Sequence, residues 1–271
     1  MKQTPLILVI ATLLATACAS RDPKSPPASK QADIHYTHGT HELMAKNYTQ
    51  AITHLLKAVE FAPENPEIHN NLGMAYYFKN EREMALQHIR RALELDPKNT
   101  DARLNLASLQ FERGDLKSAE KLYLEALKDL TYEKHARTYF NLALIEQRRG
   151  DQAKSLAYFR RSVKEDTDYC PSWLAMGQIE YNARRYADAA KHFRQARMGV
   201  CANDPAPLYW QGATDMKLGD FFNARTKFED LLGKFGDSSY APMARERMSE
   251  ISLLELRKDQ SAQAPAASGD F

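Results

Sequence analysis

The chain has 271 residues, 44% of them hydrophobic and 27% charged, with 37 basic residues against 35 acidic ones and a formal net charge of +2. That balance is too neutral for a nucleic-acid footprint, which needs a clustered basic excess. The hydrophobic share, with few Gly and Pro, fits a soluble helical protein.

The first segment reads as an export signal. Lys2 supplies a positive charge, Leu6–Leu14 is a nine-residue apolar run, and Ala15-Thr16-Ala17 are small. Nine residues are too few to span a bilayer. Cys18 follows directly. A small-residue triplet before Cys resembles the bacterial lipobox, in which the cysteine is lipidated and becomes the mature N-terminus. Ala15 departs from that motif, which usually carries Leu there. Ala19 after the cysteine, rather than Asp, implies delivery to the outer membrane of a diderm bacterium. The alternative is an ordinary secretory signal with Cys18 inside it. Ser20–Lys30, with Pro23, Pro26 and Pro27, reads as a flexible, extended linker. Residues 1–17 are thus expected to be the signal peptide and 18–30 the lipidated tether.

Residues 31–257 carry a repeat. Gly39, Gly73, Ala107, Ala143, Gly177 and Gly212 recur at steps of 34, 34, 36, 34 and 35. Twelve residues after each stands a second small residue: Ala51, Ala85, Ala119, Ser155, Ala189 and Ala224. Self-similarity at such a period predicts a solenoid of helix pairs. In Asn71–Pro97, Asn71, Leu72, Gly73, Ala75 and Tyr76 fall on the first helix. Ala85, Ile89 and Ala92 share one face of the second. Asp96-Pro97 ends that second helix. Gly114-Asp115, Gly150-Asp151 and Gly219-Asp220 read as stop-and-restart turns, Gly closing one helix and Asp capping the next. These residues, with Trp173 in the fifth copy and Phe159, Phe193 and Phe228 in the last three, resemble the tetratricopeptide repeat. The resemblance implies an all-α, right-handed superhelix of six helix pairs over roughly Asp33–Asp237, about three quarters of the chain. Pro242–Arg257 reads as a capping helix with Met243, Arg247, Ile251 and Leu254 on its covering face. Lys258–Phe271 reads as a disordered tail.

Three cysteines leave one unpaired unless Cys18 is lipidated. Cys170 precedes the first helix of the fifth copy and Cys201 follows its second. Antiparallel helices bring those ends together, so a disulfide is expected in an oxidising compartment, with roughly 3–4 kcal/mol from loop closure. The alternative is two reduced cysteines filling small gaps. A lipoprotein signal, a Pro/Ser linker, six repeats and this cysteine pair together resemble the type IV pilus biogenesis and stability lipoproteins, the pilotins of the pilus secretin. That resemblance implies an outer-membrane lipoprotein facing the periplasm that assists secretin localisation and assembly, with the secretin subunit as its protein partner. A general cell-envelope adaptor is the competing reading.

First helices line the concave face of such an array. Asn71, Asn105 and Asn141 occupy one repeat position and form an amide ladder, suited to a peptide backbone or simply to bonds within the array. Beside it lie Tyr36, Leu43 and Met44, then Met74, Tyr77 and Phe78, then Phe111. These are expected to bind a partner, with part of the set packing between copies. His35, His38 and His41 lack a completing ligand, so no metal site is expected, and His38 reads as half-buried packing. Arg90-Arg91, Arg148-Arg149 and Arg184-Arg185 read as a solvated face. No nucleophile elbow, phosphate loop or zinc motif appears. Neither catalysis nor a cofactor is expected.

Overall fold

The computed structural model of the chain describes residues 27–263: thirteen α-helices, a 3-10 turn at Gly199–Asn203, and no strand among the described residues. The expected signal peptide, Cys18, most of the linker and residues 264–271 lie outside the described residues. The first copy pairs α1 (Ala28–Met44) with α2 (Tyr48–Phe61), and the second pairs α3 (Pro66–Phe78) with α4 (Arg82–Leu95). The third pairs α5 (Thr100–Glu112) with α6 (Leu116–Ala126), and the fourth α7 (His135–Arg149) with α8 (Gln152–Glu165). The fifth pairs α9 (Cys170–Asn182) with α10 (Tyr186–Ala196), and the sixth α11 (Pro205–Lys217) with α12 (Phe221–Phe235). α13 (Tyr240–Gln263) closes the array.

The expected small residues set how each pair crosses. A Cβ on Gly73 would stand 2.5 Å from Ile89 Cγ1, and Gly39, Gly177 and Gly212 face Leu55, Phe193 and Phe228 in the same way. Ala51, Ala85, Ala119, Ser155, Ala189 and Ala224 are all fully buried. Gly114, Gly150 and Gly219 have φ of +83°, +81° and +79°, where an L side chain is strained. Asp115, Asp151 and Asp220 then cap the following helices by accepting from the backbone N–H of Ser118, Lys154 and Asn223.

Each odd-numbered helix packs against its even partner, and each even helix against the next odd one. Odd helices also touch one another (α1 with α3, α3 with α5, α5 with α7, α9 with α11), so they form the inner layer of a superhelix and the even helices the outer layer. Cys170 and Cys201 are disulfide-bonded with their Cα atoms 6.0 Å apart. Cys170 is the first residue of α9 rather than the residue before it, and Cys201 lies in the 3-10 turn after α10.

Three boundaries differ from expectation. α1 begins at Ala28, inside the expected linker, because Ala28–Ala32 are good helix formers, Pro27 accepts from the Gln31 N–H at 3.0 Å and Ala32 is buried. α13 starts at Tyr240 and runs to Gln263, so the first residues of the expected tail are helical; after Pro242 in its first turn, no Gly or Pro follows before Pro265. Its covering face also differs. Ala241, Ala244, Met248 and Ile251 pack on the sixth copy, whereas Met243 and Leu254 are 41% and 36% exposed. Small residues win that face because they allow close helix approach.

Candidate partner-binding face

The inner helices place the predicted residues on a repeating face. Asn71, Met74 and Phe78 follow one another along α3 at helical spacing, as do Asn105, Ser108 and Glu112 along α5. Two of the three amides, however, turn into the array. Asn71 Nδ2 donates to Thr40 Oγ1 at 3.0 Å and to Tyr36 Oη at 3.3 Å, and Asn105 Nδ2 donates to Asn70 Oδ1 at 2.9 Å. Asn141 borders a space of about 10 Å³ shared with Asn105, Ser108 and Tyr132, which holds no more than one water. Two of the three ladder residues thus stitch neighbouring inner helices together.

The apolar set divides in two. Tyr36 and Leu43 pack on the core of Leu55, Ile68 and Leu72. Met74 and Tyr77 pack on Ala85, Leu86, Ile89 and Leu109. Met44 and Phe78 stay outside, at 80% and 49% exposure. Both are the last residues of their inner helices, so they stand at the edge where inner helix turns into outer helix. Tyr48, the first residue of α2, was not anticipated. Its ring stacks on Phe78 with centroids 5.1 Å apart, and Tyr77 meets Phe78 edge-on at 5.1 Å. The three rings are contributed by two adjacent copies.

Toward the third copy the edge becomes polar. Tyr77 Oη donates to Glu112, which also lies 4.0 Å from Arg82. Burial, and then the Glu112 carboxylate, push the Tyr77 phenol up to about 12, so it remains a donor at any physiological pH. The Arg148 guanidinium sits 4.0 Å over the Phe111 ring and donates to the Phe111 carbonyl at 2.6 Å. Phe111 is therefore covered by a cation rather than open. Arg149 binds Glu120 of the third copy and Glu146 of its own at 2.7 Å, and Arg185 binds Glu180 within the fifth, while both arginines stay exposed on the surface.

The histidines also differ from expectation. His38 is exposed, its ring meeting that of His54 edge-on with centroids 5.5 Å apart, while the buried position beside it is Gly39. His69 is buried, its Nε2 2.9 Å from the Pro63 carbonyl and its Nδ1 3.0 Å from His88 Nδ1. A carbonyl only accepts, so His69 carries its proton on Nε2 and its bare Nδ1 accepts from His88. Burial, and then His69, hold His88 down to about 4. Among the described residues, no group of three or more His, Cys, Asp or Glu converges to hold a metal, and no helix is long and apolar enough to cross a membrane.

Residues 45–80, 66–99, 83–131 and 136–169 match tetratricopeptide-repeat families. The chain is 25% identical over 193 residues to the type IV pilus assembly protein PilF of Pseudomonas aeruginosa, a match spanning 69% of this chain and 76% of that protein. The solved structure of Pseudomonas aeruginosa PilF superposes with a TM-score of 0.67 at 21% identity, over 82% of this chain and all of that one. PilW, described as a widely conserved type IV pilus biogenesis factor, gives 0.67 at 18% identity over 78% of this chain and 97% of that one. The Cut9–Hcn1 hetero-tetramer of APC/C gives 0.66 at 13% identity, but only 42% of that chain is matched.

Proposed function

We propose that this tetratricopeptide-repeat protein is a non-catalytic assembly factor of the type IV pilus. In this reading Cys18 carries lipid that anchors the array to the periplasmic face of the outer membrane. Residues 18–27 form the tether, and the first copies hold a segment of the secretin subunit during its localisation and assembly. The observation that carries the reading is the end-to-end likeness to PilF, which covers 76% of that relative's length in sequence and all of its solved chain in structure. An array of inner helices bearing exposed Met44 and Phe78 is suited to gripping a protein segment. A stable anchor fits multiple acyl chains better than one, since a single chain gives only marginal membrane binding.

The test is a pull-down from detergent-solubilised outer membrane with wild type, Met44→Glu/Phe78→Glu and Cys18→Ser proteins. Recovery of the secretin by wild type, its loss with the double variant, and an unanchored but binding-competent Cys18→Ser protein are expected. Full secretin insertion in cells carrying only the Cys18→Ser form would sink the tethering role. Recovery of a different envelope complex would replace the pilus reading with that of a general envelope adaptor.

A further inference from the structure

A depression of about 340 Å³ opens beside the exposed aromatic edge, lined by Lys46, Asn47, Tyr48, Thr49, Gln50 and Lys79. Its lining holds two cations and no anion. Among the described residues neither lysine forms an ion pair, while the carboxylates of Glu42, Glu83 and Glu112 are engaged elsewhere. Glu42 accepts from Asn47 at 2.8 Å, Glu83 lies 3.8 Å from Arg113, and Glu112 accepts from Tyr77. The apolar wall is Tyr48, its ring stacked on Phe78.

The backbone supplies a second observation. Lys46 has φ of +64°, in the turn position where the third, fourth and sixth copies carry Gly. Asn80, next to Lys79, holds φ of +64° as well, and Arg184 repeats the conformation in the fifth copy. The two lysines of the depression thus stand in, or beside, two neighbouring turns that use a polar residue where other copies use Gly.

We propose that this edge docks an extended, acidic protein segment. An apolar or aromatic side chain would lie against Tyr48 and Phe78, and flanking carboxylates would meet Lys46 and Lys79. The inference rests on the partner-binding reading above and names the chemistry of the ligand. A protein segment suits the site better than a bilayer surface. The site is concave, and Asn47, Thr49 and Gln50 offer amide and hydroxyl groups that match a peptide backbone. A bilayer would present only a flat layer of anions.

The experiment is selection of a random twelve-residue peptide library on the full chain, with counter-selection on Lys46→Glu/Lys79→Glu. The expected result is enrichment of an apolar or aromatic residue bracketed by Asp or Glu. A fluorescein-labelled consensus peptide should then lose about tenfold in affinity to Lys46→Glu/Lys79→Glu and keep most of it with Lys46→Arg/Lys79→Arg. Both positions are exposed, and an unchanged circular-dichroism melt confirms that the variants fold. Peptides without acidic bias, or equal affinity for the charge-reversed protein, would overturn the proposal. So would lysine-dependent co-sedimentation with phosphatidylglycerol vesicles in the absence of any selected peptide, which would assign the edge to lipid. The pull-down above separates the two readings. Acidic peptides without secretin recovery would leave the site and remove the pilus role. Secretin recovery indifferent to Lys46 and Lys79 would do the reverse.

Discussion

The first two copies and the last two are built from one pattern but secured very differently. In the fifth and sixth, a disulfide closes the helix pair, Asp204 and Asp220 cap their helices, and Phe193, Tyr209, Trp210, Phe228 and Tyr240 form a continuous ring cluster under α13. Arg247, held by Tyr209 and Glu250, adds a polar clasp. In the first two, the turns run through Lys46 and Asn80 at φ of +64° without Gly and neither Asn47 nor Glu81 caps its helix; the fifth copy shares this turn, with Arg184 at +60° and no cap from Arg185, but adds the disulfide. A hydrogen-bonded histidine pair, His69 with His88, stands between α3 and α4. In a linear array each copy relies on its neighbours, so local stability follows such choices directly. The exposed aromatic edge belongs to the weakly secured end, as expected of a surface that must adapt to a partner.

The largest way to break this contrast is to remove the staple. Replacing both Cys170 and Cys201 with Ser should cost about 2–5 kcal/mol in denaturant unfolding. Hydrogen exchange should then show residues 170–235 opening as readily as residues 28–95. If the C-terminal copies stay the slower exchanging ones, the ring cluster rather than the disulfide makes the difference. Next comes overpacking. Gly73→Ala should lose about 1–3 kcal/mol, because its new methyl meets Ile89 Cγ1, and in a double-mutant cycle with Ile89→Ala, which removes that atom, the two losses should be less than additive.

Acid should sharpen the contrast. His88 is held at about 4 in the fold against 6.5 for an ordinary imidazole, so the unfolded chain takes up the proton first. Stability is full above pH 6.5 and falls as the pH drops from there toward 4. Partial solvent access limits the loss to about 1–2 kcal/mol. Hydrogen exchange of residues 66–95 at pH 7.5 and pH 5 should reveal it, and His88→Phe should flatten the dependence. The smallest effect is Asn80→Gly, expected to raise the melting midpoint by an amount worth about 0.5 kcal/mol, with Arg184→Gly somewhat larger. A loss in either case would mean that the side chain compensates for its strained turn.

The repeat and the cysteine bridge were legible in the sequence because both depend on spacing alone. A step of about 34 residues fixes which small residues cross, and antiparallel helices fix which ends meet. The exposed edge was only half legible. Met74 and Tyr77 share a helix face with Phe78, but Leu109 of the next copy covers them, and no periodicity within α3 reports what its neighbour brings. Tyr48 escaped for the complementary reason. Its contact with Phe78 joins an outer helix of one copy to an inner helix of the next, whereas the reading followed inner helices alone. On α13 the apolar residues mark more than one side, and the choice falls on Ala241 and Ala244, the residues least conspicuous by hydropathy.

The inner-to-outer crossings carry one more implication. Sixteen residues after each small inner residue stands its counterpart: Leu55, Ile89, Tyr123, Phe159, Phe193 and Phe228, every one of them buried. Where the counterpart is Tyr123 or Phe159 the inner residue is Ala, and elsewhere it is Gly. Each crossing is therefore a gauge block whose thickness is the sum of two side chains. Six such blocks in series fix the pitch of the whole superhelix, so a methyl group deep in one pair would be read out at the far end as a change in the curvature offered to a partner.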